Sequence, residues 1–160
     1  MADDVIILKT SGIPLFSRCY GGETCKLHPD HALQSGFLAA LYSFAKESFS
    51  QSGIKSVLFH DLKLDFKVDE DKEIIIVFVN PIKEDSNKIT KQLEETYKLF
   101  IEKYSNKIDS IFVDTSTFVE FDKDLLNLDI VPRESVGEVK LHKHPFWEKV
   151  YKRLKRKKKR

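Results

Sequence analysis

The chain holds only two cysteines, five prolines and six glycines in 160 residues. So little Gly and Pro excludes a collagenous or linker-like chain. Two cysteines cannot build a disulfide-dense framework, and a domain of this length buries roughly 70% of its unfolded surface without one. No apolar run approaches the ~20 residues of a membrane span. The opening residues Met1, Ala2, Asp3 and Asp4 are acidic, unlike the basic start of a signal peptide. Secretion is therefore disfavoured, and the expected compartment is a reducing cytoplasm. Several motifs are also missing. There is no G-x-x-x-x-G-K, no G-x-G-x-x-G and no G-x-S-x-G, and Gly21-Gly22 alone does not make a phosphate loop.

What is present is charge, unevenly placed. Residues 140–160 hold eleven Lys/Arg against one acid, Glu148, a net of +10. The overall charge is only +2, so the rest of the chain stands at −8. An acidic body with a basic end is a statement about partners rather than about chemistry. The organisation that follows is one domain over 1–133, then a linker and a basic amphipathic segment over 134–160.

The body reads as alternating strands and helices. Val5 to Leu8 is a short β-branched run, Thr10-Ser11-Gly12 is a turn, and Pro14 to Tyr20 is the returning strand of a hairpin. Pro14 lacks a backbone donor and should start that strand. Asp30 is placed to cap a helix over 31–50 in which Leu33, Phe37, Leu41 and Phe44 recur at helical spacing. That stripe is expected to face a sheet. Three strands follow. Val57 to Phe59 is short, Leu62 to Val68 alternates strictly, and Ile74 to Val79 is apolar throughout, as a strand covered on both faces would be. Ile89, Leu93, Tyr97, Phe100, Ile101, Tyr104 and Ile108 mark a second long helix. A third is expected over 117–128, capped by Ser116. The fold class is α+β: a five-stranded antiparallel sheet in the order β-β-α-β-β-β-α plus a third helix, helices on both faces, longin/profilin-like.

The metal-like cluster is Cys19, Cys25, His28 and His31. Zinc takes such ligands, yet a single Cys-x-x-His step lacks the paired spacing of a zinc motif, and an unliganded loop is the stronger reading. A Cys/His nucleophile pair from the same residues has no recognisable oxyanion donor beside it. His60 follows a strand and reads as a rim residue. Asp69, Glu70, Asp71 and Glu73 lack the Gly and distal Glu of a calcium loop and read as a solvated hairpin tip. Glu94 and Glu95 read as part of a solvated helix face. No catalytic residue and no cofactor is expected.

The tail is the most informative exposed segment. After Pro145, the residues Phe146, Trp147, Val150, Tyr151 and Leu154 fall on one side of a helix, with Lys149, Lys152, Arg153, Lys155 and Arg156 on the rest. This is the pattern of a segment that lies on anionic lipid, with Trp at the interface. The same apolar side can instead dock on the body, or the segment can be a solubilising tail. Nucleic acid would attract the same charge but is disfavoured.

The hairpin Val5-Ile6-Ile7-Leu8-Lys9-Thr10-Ser11-Gly12-Ile13-Pro14-Leu15-Phe16-Ser17, followed by Ser35-Gly36-Phe37-Leu38-Ala39-Ala40-Leu41-Tyr42-Ser43-Phe44-Ala45, resembles the longin-like family within the longin/roadblock group. The resemblance covers about residues 4–130. It implies a non-catalytic module of vesicle trafficking and small-GTPase regulation. The implied partners are another longin or roadblock-type domain or a small GTPase, with homodimers among the arrangements. The resemblance brings no catalytic residues. A basic tail stands where a trafficking SNARE would carry its coiled-coil motif. The expected location is the cytoplasm, peripheral at membranes. The alternatives are a metal-binding or thiol-dependent protein built on Cys19, Cys25, His28 and His31, or a tail-mediated nucleic-acid binder.

Overall fold

The structure, a computed structural model, describes residues 1–21, 30–49, 53–109 and 114–132. Its strands are β1 (Asp4–Lys9), β2 (Pro14–Cys19), β3 (Ser56–Leu58), β4 (Leu62–Asp69) and β5 (Ile74–Pro81). The helices are α1 (His31–Ser48), α2 (Ser86–Ile108) and α3 (Phe121–Asn127), with a 3-10 turn at Thr115–Phe118 before α3. The strands form one sheet in the order β2-β1-β5-β4-β3, and every neighbouring pair is antiparallel. The α+β class expected from the sequence is the one observed.

The uninterrupted apolar run of β5 lies where its composition demands, in the middle of the sheet. Residues Ile74 to Phe78 are fully buried. Strand alternation sends Ile74, Ile76 and Phe78 to one face with Val5 and Ile7, where Ile89, Leu93, Phe100, Tyr104 and Ile108 of α2 cover them. Ile75, Val77 and Val79 go to the other face with Ile6 and Leu8, under Leu38, Ala39 and Tyr42 of α1. β4 supplies Leu64 and Phe66 to this second layer. A sheet sandwiched this way buries both sets of side chains, so β5 gains from apolar residues at every position.

Local signals set the boundaries. The Asp30 carboxylate accepts from the N–H groups of Ala32 at 2.9 Å and Leu33 at 3.1 Å, which caps α1 as expected. Asp85 caps α2 by accepting from Asn87 N–H at 2.9 Å. Gly12 turns the first hairpin at φ +95°, where a side chain would be strained. The helix expected over 117–128 is two pieces instead. Asp114, rather than Ser116, is the cap, and it accepts from Ser116 N–H at 2.9 Å. The β-branched Thr115, Thr117 and Val119 favour a short 3-10 turn over a continuous helix. The break still brings both aromatics to α2. Phe118 and Phe121 lie with their ring centres 5.6 and 5.1 Å from that of Phe100.

Candidate functional site

The distinctive surface is on α1. The stripe of Leu33, Phe37, Leu41 and Phe44 was expected to face the sheet, and that expectation fails. Leu33 is 75% exposed, Phe37 51% and Phe44 62%. The helix instead buries Ser35, Leu38, Ala39 and Tyr42. At about 100° per residue these two sets fall on opposite sides of α1. The reason lies in residue size. Ser35 and Ala39 are small, and Gly12 comes so close that a Cβ there would lie 3.6 Å from both the Ala39 Cβ and the Gly36 Cα. Small side chains let the helix settle onto the sheet, so the bulky ones are left outside.

The outward stripe is continued by Phe49, just past the helix, whose ring meets Phe44 edge-on at 6.4 Å between centres. Phe49 is 66% exposed. Leu41 is half-buried and reaches the same cluster as Val57 of β3. Acids flank the C-terminal half of the helix. Glu70, at the β4–β5 hairpin tip, accepts from the Tyr42 hydroxyl at 2.9 Å and pairs with Lys46 at 3.1 Å. This draws the tip against α1. Within 30–49 and 69–73 there are six acids and two lysines. Not all of these face the strip: Asp69 is turned to Tyr97 of α2, and Glu70 is paired with Lys46. Leu58 of β3 is exposed as well but belongs to the opposite face, beside Lys63, whose ammonium bonds Ser86 Oγ at 2.9 Å.

Among the described residues, the candidate side chains singled out by the sequence lie apart from one another. His31 Nδ1 lies 2.7 Å from Ser17 Oγ, a contact that fastens the start of α1 to β2. Cys19 is disulfide-bonded, so its sulfur is neither a nucleophile nor a thiolate ligand. Cys25 and His28 lie outside the described residues. Among the described residues no group of three His, Cys, Asp or Glu side chains is placed to hold a metal. His60 is exposed at the rim, 3.7 Å from Asp61. Asp69 accepts from Lys72 N–H and from the Tyr97 hydroxyl. The hydrogen bond to Asp69, helped by burial, pushes the Tyr97 phenol up to about 12. Glu94 lies on the solvent-facing side of α2, 43% exposed, and there receives Lys67 Nζ of β4 at 2.6 Å.

Two buried polar groupings were not foreseen. Asp122 of α3 accepts from Arg18 at 2.5 Å and from the Tyr20 hydroxyl at 2.6 Å, which ties α3 to the β2 edge. Burial and the bond to Asp122 push the Tyr20 phenol far above its ordinary value. Asp4 is fully buried at the start of β1, and among the described residues neither carboxylate oxygen has a hydrogen-bond partner. Burial raises its pKa to about 7, while the neighbouring Gln34 of α1 pulls the other way. The Asp122 grouping fastens α3 to β2, whereas the buried Asp4 carboxyl carries a desolvation cost. The tail residues Phe146, Trp147, Lys149, Tyr151, Lys152, Arg153, Lys155 and Arg156 lie outside the described residues.

No protein-family model matches the chain, and no curated protein does. Solved structures similar to it include the mammalian SRP receptor, at 18% identity over 84% of this chain and 94% of that one, TM-score 0.49. Another is a Roadblock/LC7 domain from Streptomyces avermitilis, at 11% identity over 63% of this chain and 83% of that one, TM-score 0.49. Myxococcus xanthus MglB is similar at 14% identity over 63% of this chain and 78% of that one, TM-score 0.47. These are likenesses of fold, and they say nothing of what this chain binds.

Proposed function

We propose that this protein is a non-catalytic interaction scaffold of the longin-like type, which binds a protein partner through the outward stripe of α1. The observation that supports the reading is the exposure of Leu33, Phe37 and Phe44 on the side of α1 away from the sheet. Fully burying a Leu or Phe is worth roughly 1.5–3 kcal/mol, so a partner covering the stripe gains several kcal/mol from those three residues before binding costs. The longin-like resemblance makes a longin or roadblock-type domain or a small GTPase the partner class. The basic segment 145–160 then holds the assembly at an anionic membrane, each Lys/Arg near the surface adding on the order of 1 kcal/mol. No helix of the described residues is long and apolar enough to cross a membrane.

Affinity capture from the native source tests the stripe. The intact chain should retain a GTPase or a longin-type protein that Phe37→Ser/Phe44→Ser does not. Equal capture by both chains defeats the reading. Vesicle flotation tests the tail separately. Binding should need anionic lipid, fall with salt and vanish on deleting 145–160, and equal binding to neutral vesicles ends the membrane claim.

A further inference from the structure

We infer that Asp4 is a proton-operated latch on α1: its neutral carboxyl lets the first turns of the helix, residues 31–38, seat on the sheet, and its carboxylate lifts them. Those turns carry Leu33 and Phe37, so the latch sets how often the complete outward stripe is presented. That consequence rests on reading the stripe as the partner surface, whereas the latch itself does not.

The geometry is a buried acid under a helix start. Strand alternation turns Asp4 the same way as Ile6 and Leu8, toward α1. The residue is fully buried, and Gln34 of α1 stands beside its carboxyl. Among the described residues neither Asp4 oxygen has a hydrogen-bond partner, and the same holds for Gln34 Oε1 and Ser35 Oγ. A neutral carboxyl bears such a setting at moderate cost. A carboxylate without donors or a cation does not, and it draws in water.

The surrounding elements offer it no compensating charge. Beside it on the chain is Asp3, whose negative charge acts in the same direction as burial. From β2, Cys19 lies opposite it and is disulfide-bonded, and the Tyr20 hydroxyl is already given to Asp122. From β5, the residue opposite is the apolar Val79. From α1 come the uncharged Gln34 and, near the helix start, His31, whose Nδ1 is engaged with Ser17 Oγ of β2.

Water can reach Asp4 by unzipping β1 or by raising α1. β1 is held on both sides here. Asp3 N–H donates to the Val79 carbonyl at 3.0 Å, and the Asp3 carbonyl accepts from Tyr20 N–H at 2.7 Å. Among the described residues α1 makes no backbone hydrogen bond to a strand. Its start rests on the packing of Ser35 and Leu38 and on the contact between His31 and Ser17. Raising the helix start is therefore the cheaper route.

The sign follows from proton uptake. Seated, Asp4 has its pKa raised from 3.8 to about 7, chiefly by burial, and lifted into water it returns to its ordinary value. Seating is therefore favoured most below 3.8 and loses that help as the pH rises through about 7. The opening constant of residues 31–38 should rise about fiftyfold between pH 5 and 7 and level off above that.

Amide hydrogen exchange of the full chain, read by mass spectrometry and divided by the intrinsic rate at each pH, measures this opening. Residues 31–38 should lose about fiftyfold of their protection from pH 5 to 7, and Asp4→Asn should hold it nearly constant. His31 is common to both chains, so the difference between them isolates Asp4. Residues 31–38 should also exchange well before the central strand β5, and low urea should not speed them, because local opening exposes little surface. Ser17→Ala, which frees His31, should raise opening at every pH and leave the slope in place. Should Asp4→Asn not fold, the pH profiles of the parent and of Ser17→Ala still decide. A flat profile for 31–38 in the parent, or equal slopes in the parent and Asp4→Asn, overturns the latch. Loss of protection by 31–38 and β5 together also overturns it, since the protein then unfolds as one unit. If exchange behaves as expected while Phe37→Ser/Phe44→Ser captures partners as well as the parent, the scaffold reading fails and the latch stands. If capture needs the stripe while exchange is flat, the latch fails and the scaffold reading stands.

Discussion

Asp4 places a carboxyl group in the core with no hydrogen bond to either oxygen among the described residues. Its pKa is raised from the ordinary 3.8 to about 7 by burial. The folded state therefore holds a proton that the unfolded chain releases. The stabilising effect of that proton is complete below 3.8 and is lost as the pH rises through about 7. Asp4→Asn keeps the shape and removes the titration. It should flatten the fall in stability between pH 4 and 7 and leave the variant more stable than the parent at pH 8 by on the order of 3 kcal/mol. Urea melts across that range measure it, and parallel pH profiles for the two chains contradict it. Gly12 is the other residue with a sharp consequence. Its φ of +95° disfavours any side chain, although a Cβ would meet only ordinary contacts at 3.6 Å. Gly12→Ala should cost about 1–2 kcal/mol, arising from the backbone alone.

At the scale of elements, α3 hangs on two unlike fasteners. One is the aromatic group of Phe16, Phe100, Tyr104, Phe118 and Phe121, whose neighbouring ring centres lie 5.1–5.9 Å apart. The other is Asp122, which receives both Arg18 and Tyr20. Asp122→Ala strands a part-buried guanidinium and a buried phenol. The expected cost is about 3 kcal/mol in thermal or denaturant melts, and a loss below 1 kcal/mol would show that the pair contributes no more than a surface bridge. The sequence exposed most of these elements because their patterns have one interpretation. Strict alternation over 62–68, an unbroken apolar run at 74–79 and a single apolar side on α2 each fit only one placement. α1 has apolar residues on two sides, and hydrophobicity cannot rank them. Size could have done so. The small Ser35 and Ala39 mark the side able to approach a sheet closely, and the Phe-bearing side is the one left out. The Asp122 grouping and the burial of Asp4 were illegible for another reason: their neighbours lie on elements distant in sequence, and only the tertiary fold brings them together.

For the whole molecule, the division of charge matters more than its sum. A body at −8 and an end at +10 present opposite fields to partners, each weakened as salt screens it. Deleting 145–160 should leave the melting transition of the body within about 0.5 kcal/mol, since surface contacts away from the core contribute little. A larger loss would make the segment part of the folding core. The substitutions Phe37→Ser and Phe44→Ser should be equally silent toward unfolding, which is what allows them to report on binding alone.

β3 is only three residues long, and it closes one side of the sheet. An incoming strand would find only about half of those residues' backbone groups turned toward it, too short a rail for a ladder of any length. At this edge, unlike the six-residue β2 at the other, recognition must be written in side chains. Such a lock can be re-cut by exchanging a few aromatics on one helix while the scaffold beneath keeps its shape.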